Sequence, residues 1–306
     1  MDLKDKNGCY SAEKINAAYA ADPKGLISAG EETYHCQVSE FVKLAASARI
    51  VLLAGPSGSG KTTTAGKLRD EFIRTGRDGV VVSLDDFYKD RDELPVIDGR
   101  VNAEVFEAID SSLVQLKVTE LLSEGRALLP EYDFHIRRGR PNSKPVTLAE
   151  GGVVVVEGIH ALNRQLIALF DRYPVSKVYV SPHSGFSKNG SMLLTSRQMR
   201  QIRRLVRDYL FRASSAEHTF SMWGDVCAAE DLYIRPSVKY ADFRIDTTHA
   251  YEPCLFEDDA KKVLGELPHE SVYYDDARRL LDALAEFTDM DSSLLPSDSL
   301  LREFVG

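Results

Sequence analysis

The run Gly55-Pro-Ser-Gly-Ser-Gly60-Lys61-Thr62 fits the pattern G-x-x-x-x-G-K-[ST]. Chemically it is a phosphate cradle. Gly55, Gly58 and Gly60 let the chain turn its N–H groups inward without Cβ clashes, and Ser57 and Ser59 complete the loop. Lys61 supplies a mobile cation for the outer phosphates of a nucleotide, and the Thr62 hydroxyl suits a Mg²⁺ ion. Thr63, next in line, is counted with the phosphate-binding residues. A helix opening near Lys61 would add its positive end. Glu157 follows four valines, so it should end a buried strand and hold a water on Mg²⁺. Asp85 and Asp86, in Ser83-Leu-Asp-Asp-Phe-Tyr88, are expected to end another strand. Asp85 there would lie near the terminal phosphate, positioned to take a proton from an attacking hydroxyl and also within reach of the metal. Asp86 should turn the other way. The competing reading of this pair is a turn cap. Tyr88 would line a substrate pocket or fill a half-buried core position.

A second concentration of charge lies in 195–212. On a helical wheel Met199, Ile202, Leu205, Val206, Tyr209 and Leu210 make one apolar face, and Arg200, Arg203, Arg204 and Arg207 make a stripe opposite. Alone, such a stripe is a solvated face. Beside a phosphate cradle it reads as a lid that lowers guanidinium groups onto phosphate.

These residues need a frame, and the pattern supplies one. Short apolar runs at Ile50–Ala54, Val80–Leu84, Val153–Val156, Val178–Val180 and Phe243–Ile245 read as buried strands. Helical stretches are expected up to about Arg74, over 104–123, near Asn163–Phe170, and over 195–234 and 273–288. This alternation predicts an α/β fold: a parallel sheet sandwiched by helices. Residues 128–148, with Pro130, Gly139, Pro141 and Pro145, should form a β excursion. Residues 1–48 read as a helical lead-in, with Ser11-Ala-Glu-Lys as a helix start, packed on a main domain over 49–306. The region 195–234 is the expected helical lid.

Composition excludes several classes of function. The chain has 306 residues, 47 acidic against 38 basic, and a net charge of −9, which disfavours nucleic acid as a partner. The longest apolar run is too short to span a bilayer, and the first residues lack the apolar core of a signal peptide. Cys9, Cys36, Cys227 and Cys254 are scattered, without zinc spacing, as in a reducing compartment. A cytoplasmic protein without membrane contact is expected; self-association as a homo-oligomer is left open.

Taken in order, the blocks Gly55–Thr62, Ser83–Tyr88, Tyr132-Asp-Phe134, Val156-Glu-Gly-Ile159, Arg203–Asp208 and Lys239–Asp242 resemble the uridine kinase and phosphoribulokinase superfamily. More narrowly, Glu157–Asn163 and Val206–Arg212 resemble the longer bacterial uridine-kinase-like proteins, and the final run Leu295–Gly306 resembles their tail. The resemblance covers about residues 40–306 and is weakest at the start. It implies a P-loop fold and ATP-dependent phosphorylation, with Mg²⁺, of a small molecule, most simply the 5′-hydroxyl of uridine or cytidine. Asp85 then matches the catalytic base, with Lys61, Arg203 and Arg207 acting in catalysis and Arg200 and Arg204 on ATP. Tyr88, Glu104, Tyr132, Phe134 and Arg137 fall at substrate positions, and Thr62, Glu157 and Asp85 at the metal. Val105 and Phe106 depart from the usual His-Pro beside Glu104. The alternatives are a kinase for another hydroxylated metabolite, such as a sugar phosphate, and a regulatory nucleotide-binding module. The intact Asp85, Lys61 and Glu157 speak against the regulatory module, and no guanine-reading Asn-Lys-x-Asp motif occurs.

Arg137 generates the first prediction. In the resembled kinases a His after Tyr-Asp-Phe reads the pyrimidine edge; here Arg137 takes that place, and His135 comes two residues early. Arg only donates hydrogen bonds, so it should favour a carbonyl, as at uracil O4, over the cytosine amino group. A higher kcat/KM for uridine than for cytidine is expected. Equal or better use of cytidine, unchanged in Arg137→Ala, removes Arg137 from base reading and favours a different substrate.

Overall fold

A computed structural model describes residues 1–306 apart from Asp98, His135, Arg137 and the side chain of Arg100. The Arg137 expectation therefore lies outside the described residues. Five parallel strands form the centre: β1 (Ile50–Ala54), β2 (Gly79–Ser83), β5 (Val153–Glu157), β6 (Val175–Ser181) and β7 (Phe243–Asp246), in the order β7-β6-β1-β5-β2. Strands β3 (Arg126–Asp133) and β4 (Arg138–Thr147) pair with each other as an antiparallel hairpin. This is the excursion expected over 128–148.

Side-chain alternation divides the sheet into two cores. Val51, Leu53, Val153, Val155, Val178, Val180 and Ile245 face one side, and Ile50, Leu52, Val82, Val154, Val156 and Tyr179 face the other. The four valines of β5 are all fully buried, as strands covered on both faces require. The first face carries α1 (Ala12–Ala21), α2 (Pro23–Leu44), α3 (Lys61–Arg74), α6 (Ser196–Arg212), α8 (Glu252–Gly265) and α9 (Tyr274–Leu284); the second carries α4 (Ser111–Glu124) and α5 (Arg164–Ala168).

Local chemistry sets the ends of these helices. Ser11 caps α1, accepting from the Lys14 N–H at 3.3 Å. Asp22 caps α2, with Pro23 at its first position. Thr195 and Gln198 form a reciprocal capping box at the start of α6. The stretch expected to be helical over 104–123 begins only at Ser111, because Asp110 caps there and Ile109 is extended and bridged to Tyr88. The stretch 195–234 divides at Ala213, whose positive φ of 50° ends α6; Ser215 then caps α7 (Ala216–Ala229), which runs into a π-helical turn over Glu230–Ile234. A small sheet of Tyr10–Ser11, Phe186–Lys188 and Ser191–Leu194 lay outside the sequence expectations.

Residues 1–48 are built into the first core. Leu26, Tyr34, Val38 and Phe41 lie in one cluster with Val51 and Leu53. The Tyr34 hydroxyl donates to Thr64 Oγ1 at 2.9 Å, and Ser39 Oγ donates to Glu71 at 2.7 Å, both on α3. Among the described residues no helix is long and apolar enough to cross a membrane. Because α2 shares its core with the sheet, Phe41→Ala is expected to cost about 3–5 kcal/mol in a single cooperative transition followed by circular dichroism in urea. A separate early transition for the first helices would contradict this.

Candidate active site

The cleft lies at the carboxyl ends of β1, β5 and β2, where β5 is inserted between strands whose connection must cross over it. It encloses about 510 Å³, within the range of small-molecule sites. Ser57, Gly58, Gly60, Lys61 and Thr62 bring the phosphate loop; Asp85, Glu157 and Glu303 bring carboxylates; Arg204 and Arg207 bring guanidinium groups; Tyr88, Glu104 and Phe134 also line it.

The loop after β1 is shaped by what it cannot accommodate. A Cβ on Gly55 would lie 2.1 Å from the Val180 carbonyl oxygen. Gly58 and Gly60 have φ of 74° and 82°, the left-handed region that favours glycine. Gly60 is the N-cap of α3 and offers no side-chain acceptor, so the first-turn N–H groups are left for a ligand.

The back of the loop was not anticipated. Arg200 Nη1 donates to the Ser57 carbonyl at 3.0 Å, Arg203 Nη1 to the Gly58 carbonyl at 3.3 Å, and Thr247 Oγ1 to the Ser59 carbonyl at 2.8 Å. A trans peptide points its N–H opposite to its C=O. Holding the carbonyls of Ser57 and Ser59 from behind therefore turns the N–H groups of Gly58 and Gly60 toward the cleft. Arg203 is fully buried and ion-paired with Glu252 at 2.6 Å; Arg200 is buried and paired with Glu230 at 2.6 Å. Burial raises the Glu252 carboxyl to about 7, with Arg203 pulling it back.

This corrects the reading of the arginine stripe. Arg200 and Arg203 do not open onto a phosphate site; they brace the loop from inside. At 100° per residue Arg203 falls on the rim of the apolar sector, beside Met199, whereas Arg200 lies farther round the stripe; both are buried where α6 packs against the phosphate loop. Arg204 and Arg207 line the cleft. Asp208 gathers both, at 3.2 Å from Arg204 and 2.8 Å from Arg207, and Arg204 also donates to Ser57 Oγ at 2.9 Å.

The other expected residues fall as follows. Thr62 Oγ1 lies 3.4 Å from Glu157 Oε1, and Ser83 Oγ donates to the same oxygen at 2.7 Å. Burial raises the Glu157 carboxyl, and Lys61 partly offsets this. These are hard oxygen donors at a phosphate loop, a set that fits Mg²⁺. Lys61 Nζ rests on the Pro56 carbonyl at 3.3 Å. Asp85 and Asp86 do not end a strand: β2 stops at Ser83, which caps a 3-10 turn over Leu84–Phe87. Asp85 opens onto the cleft, while Asp86 is half-buried and its carboxyl is raised by that burial. Tyr88 and Phe134 form an aromatic wall, with ring centroids 5.7 Å apart. Tyr132 is buried against both, a support for the wall. Glu104 faces the cleft from a loop and keeps an exposed surface; the protein packed around it pushes its carboxyl up, and Arg204 opposes that rise. His160 holds the Glu104 carbonyl at 3.0 Å, and burial lowers its imidazole to about 4. Ser59 is buried beneath the loop, and Thr63 donates to Glu303 at 2.6 Å. Glu230, Thr247 and Glu252 carried no motif signal; Glu303 lies in the final run Leu295–Gly306, whose resemblance gave it no role.

The family model for Phosphoribulokinase / Uridine kinase matches residues 50–251. The chain belongs to that family. Its curated relatives include a uridine kinase from Lactobacillus helveticus, 29% identical over 63% of this chain and 83% of the relative, and one from Brevibacillus brevis, 31% identical over 63% and 82%. A solved structure of D-glycerate 3-kinase from Cryptococcus neoformans is 15% identical over 72% of this chain and 90% of that one, with a TM-score of 0.45. The family's chemistry implies ATP as co-substrate and usually Mg²⁺.

For a kinase with this division of arginines, Arg204→Ala and Arg207→Ala are expected to lower kcat at least about tenfold, with little change in KM and no loss of thermal stability. Steady-state kinetics beside thermal unfolding would show this. Near-normal kcat in both variants would make the pair a solvated face.

Proposed function

We propose that this protein is an ATP-dependent small-molecule kinase that phosphorylates a nucleoside 5′-hydroxyl, most simply that of uridine or cytidine. One observation carries the reading: Asp85 opens onto the same cleft as Lys61, Thr62 and Glu157, and Tyr88, Phe134 and Glu104 line that cleft too. The phosphate end and the hydroxyl-binding end thus meet at a carboxylate. Bound Mg²⁺, held through Thr62 and Glu157, would neutralise charge on the phosphates. The chain's own groups do the rest. The N–H groups of Gly58 and Gly60 and the first turn of α3 cradle phosphate oxygens, and Lys61 leaves the Pro56 carbonyl to meet them. Asp85 accepts the hydroxyl proton as that oxygen bonds to the terminal phosphorus and the bridging oxygen departs. Arg204 and Arg207 balance charge on the transferred group. Glu104 suits vicinal hydroxyls, and the aromatic wall suits a flat base.

A second reading rests on Val105 and Phe106, which replace the family's His-Pro beside Glu104. That change favours another hydroxylated metabolite at the same carboxylates. Turnover assays with uridine, cytidine, a purine nucleoside and a sugar phosphate separate the two readings. In either case Asp85→Asn should lower the rate by roughly 10²–10⁴-fold while nucleotide affinity is nearly unchanged, and Asp86→Asn should remain active. A dead Asp86→Asn enzyme beside an active Asp85→Asn one would give the base role to Asp86.

A further inference from the structure

Segment 296–306 lies beyond the residues matched by the family model and is fastened to the phosphate loop. Ser299 Oγ donates to Glu31 at 2.5 Å, and Asp298 pairs with Lys67 of α3 at 2.5 Å. Leu300 is fully buried against Gly60: a Cβ there would lie 2.7 Å from its Cδ1. Phe304 is fully buried, its ring centroid 5.2 Å from the Arg203 guanidinium carbon. This packing delivers Glu303, on a single helical turn over Arg302–Val305, into the cleft, where it accepts the Thr63 hydroxyl at 2.6 Å.

Thr63 sits in the first turn of α3, next to Thr62, where nucleotide phosphate should lie. Its hydroxyl has one proton and cannot donate to Glu303 and to a phosphate oxygen together. Nor do a carboxylate and a phosphate, both anionic, share such a position without cost. We propose that Glu303 is a gate on the phosphate pocket: it occupies Thr63 in the nucleotide-free protein and must be displaced when nucleotide enters. The inference rests on the nucleotide-binding part of the proposed function. The apparent affinity of the wild type is then reduced by the fraction of molecules with the gate closed.

Isothermal titration of ADP into wild type and Glu303→Gln, with Mg²⁺ and separately with a chelator, tests the gate. The amide removes the charge and can itself donate to phosphate. Glu303→Gln should bind ADP about tenfold more tightly in both arms, from the loss of a charge-assisted contact. Equal affinities, or weaker binding by the variant in either arm, would overturn the gate, weaker binding with Mg²⁺ alone marking Glu303 as a metal-side ligand. If neither protein binds ADP, the phosphate-loop reading itself fails, which is a different outcome from equal affinities. Should Glu303→Gln not fold, hydrogen–deuterium exchange on the wild type decides: faster exchange over 298–306 on adding ADP supports the gate, and unchanged or slower exchange overturns it.

Discussion

Three consecutive carbonyls in the phosphate loop, those of Ser57, Gly58 and Ser59, are held from behind by Arg200, Arg203 and Thr247. The front of the site depends on this. A phosphate cradle needs N–H groups converging on one point, and a free loop has no reason to present them. A trans peptide ties each N–H to the carbonyl before it, so fixing the Ser57 and Ser59 carbonyls fixes the Gly58 and Gly60 donors, while the Ser59 N–H closes the turn on the Pro56 carbonyl at 3.3 Å. The glycines permit the conformation, and the buried side chains select it. Selecting it before ligand arrives lowers the entropic cost of binding.

The rest of the first face can be understood as what allows two arginines to be buried there. Each has its own carboxylate, Glu230 for Arg200 and Glu252 for Arg203. Arg203 also donates to the Thr247 carbonyl at 2.7 Å, and Phe304 packs on its guanidinium. A buried ion pair is weak support for stability as such, because desolvation offsets the attraction. Its value here is directional: five fixed donors on a planar group reach carbonyl and carboxylate acceptors at once. α6 is therefore a pillar on one side and lines the cleft on the other. Asp208 keeps Arg204 and Arg207 beside each other there despite their repulsion.

Features carried by local chemistry were legible in the sequence. The parallel sheet followed from five apolar runs, the hairpin from its prolines, and the phosphate loop from glycine, lysine and threonine at fixed spacing. Asp85, Lys61, Thr62, Glu157, Tyr88, Glu104 and Phe134 do meet in one cleft. What escaped notice depends on tertiary contact. Arg200 and Arg203 share a stripe with Arg204 and Arg207, and only the packing of α6 against the loop and α8 decides which pair is buried. Thr247 and Glu252 lie in Thr247-Thr-His-Ala-Tyr-Glu252, a stretch with no motif, and gain meaning only where β7 ends beside β6. Glu303 is brought back to Thr63 across 240 residues. The strand expected through Asp85 stops early because Ser83 caps a turn, a competition between side chain and backbone that periodicity does not register.

Arg203, paired with Glu252, orients the loop rather than stabilising the fold: it holds the Gly58 carbonyl and, at 3.4 Å, the Thr247 hydroxyl that in turn holds the Ser59 carbonyl. Replacing both at once, Arg203→Met with Glu252→Leu, leaves no unpaired buried charge and fills the space with apolar groups of similar size. Thermal stability and affinity for Mg²⁺-ADP, measured on the same double variant, separate orientation of the loop from stabilisation of the fold. The double variant should keep a stability within about 2 kcal/mol of the wild type and bind nucleotide at least about tenfold more weakly. A folded double variant that binds Mg²⁺-ADP as tightly as the wild type would contradict that orienting role.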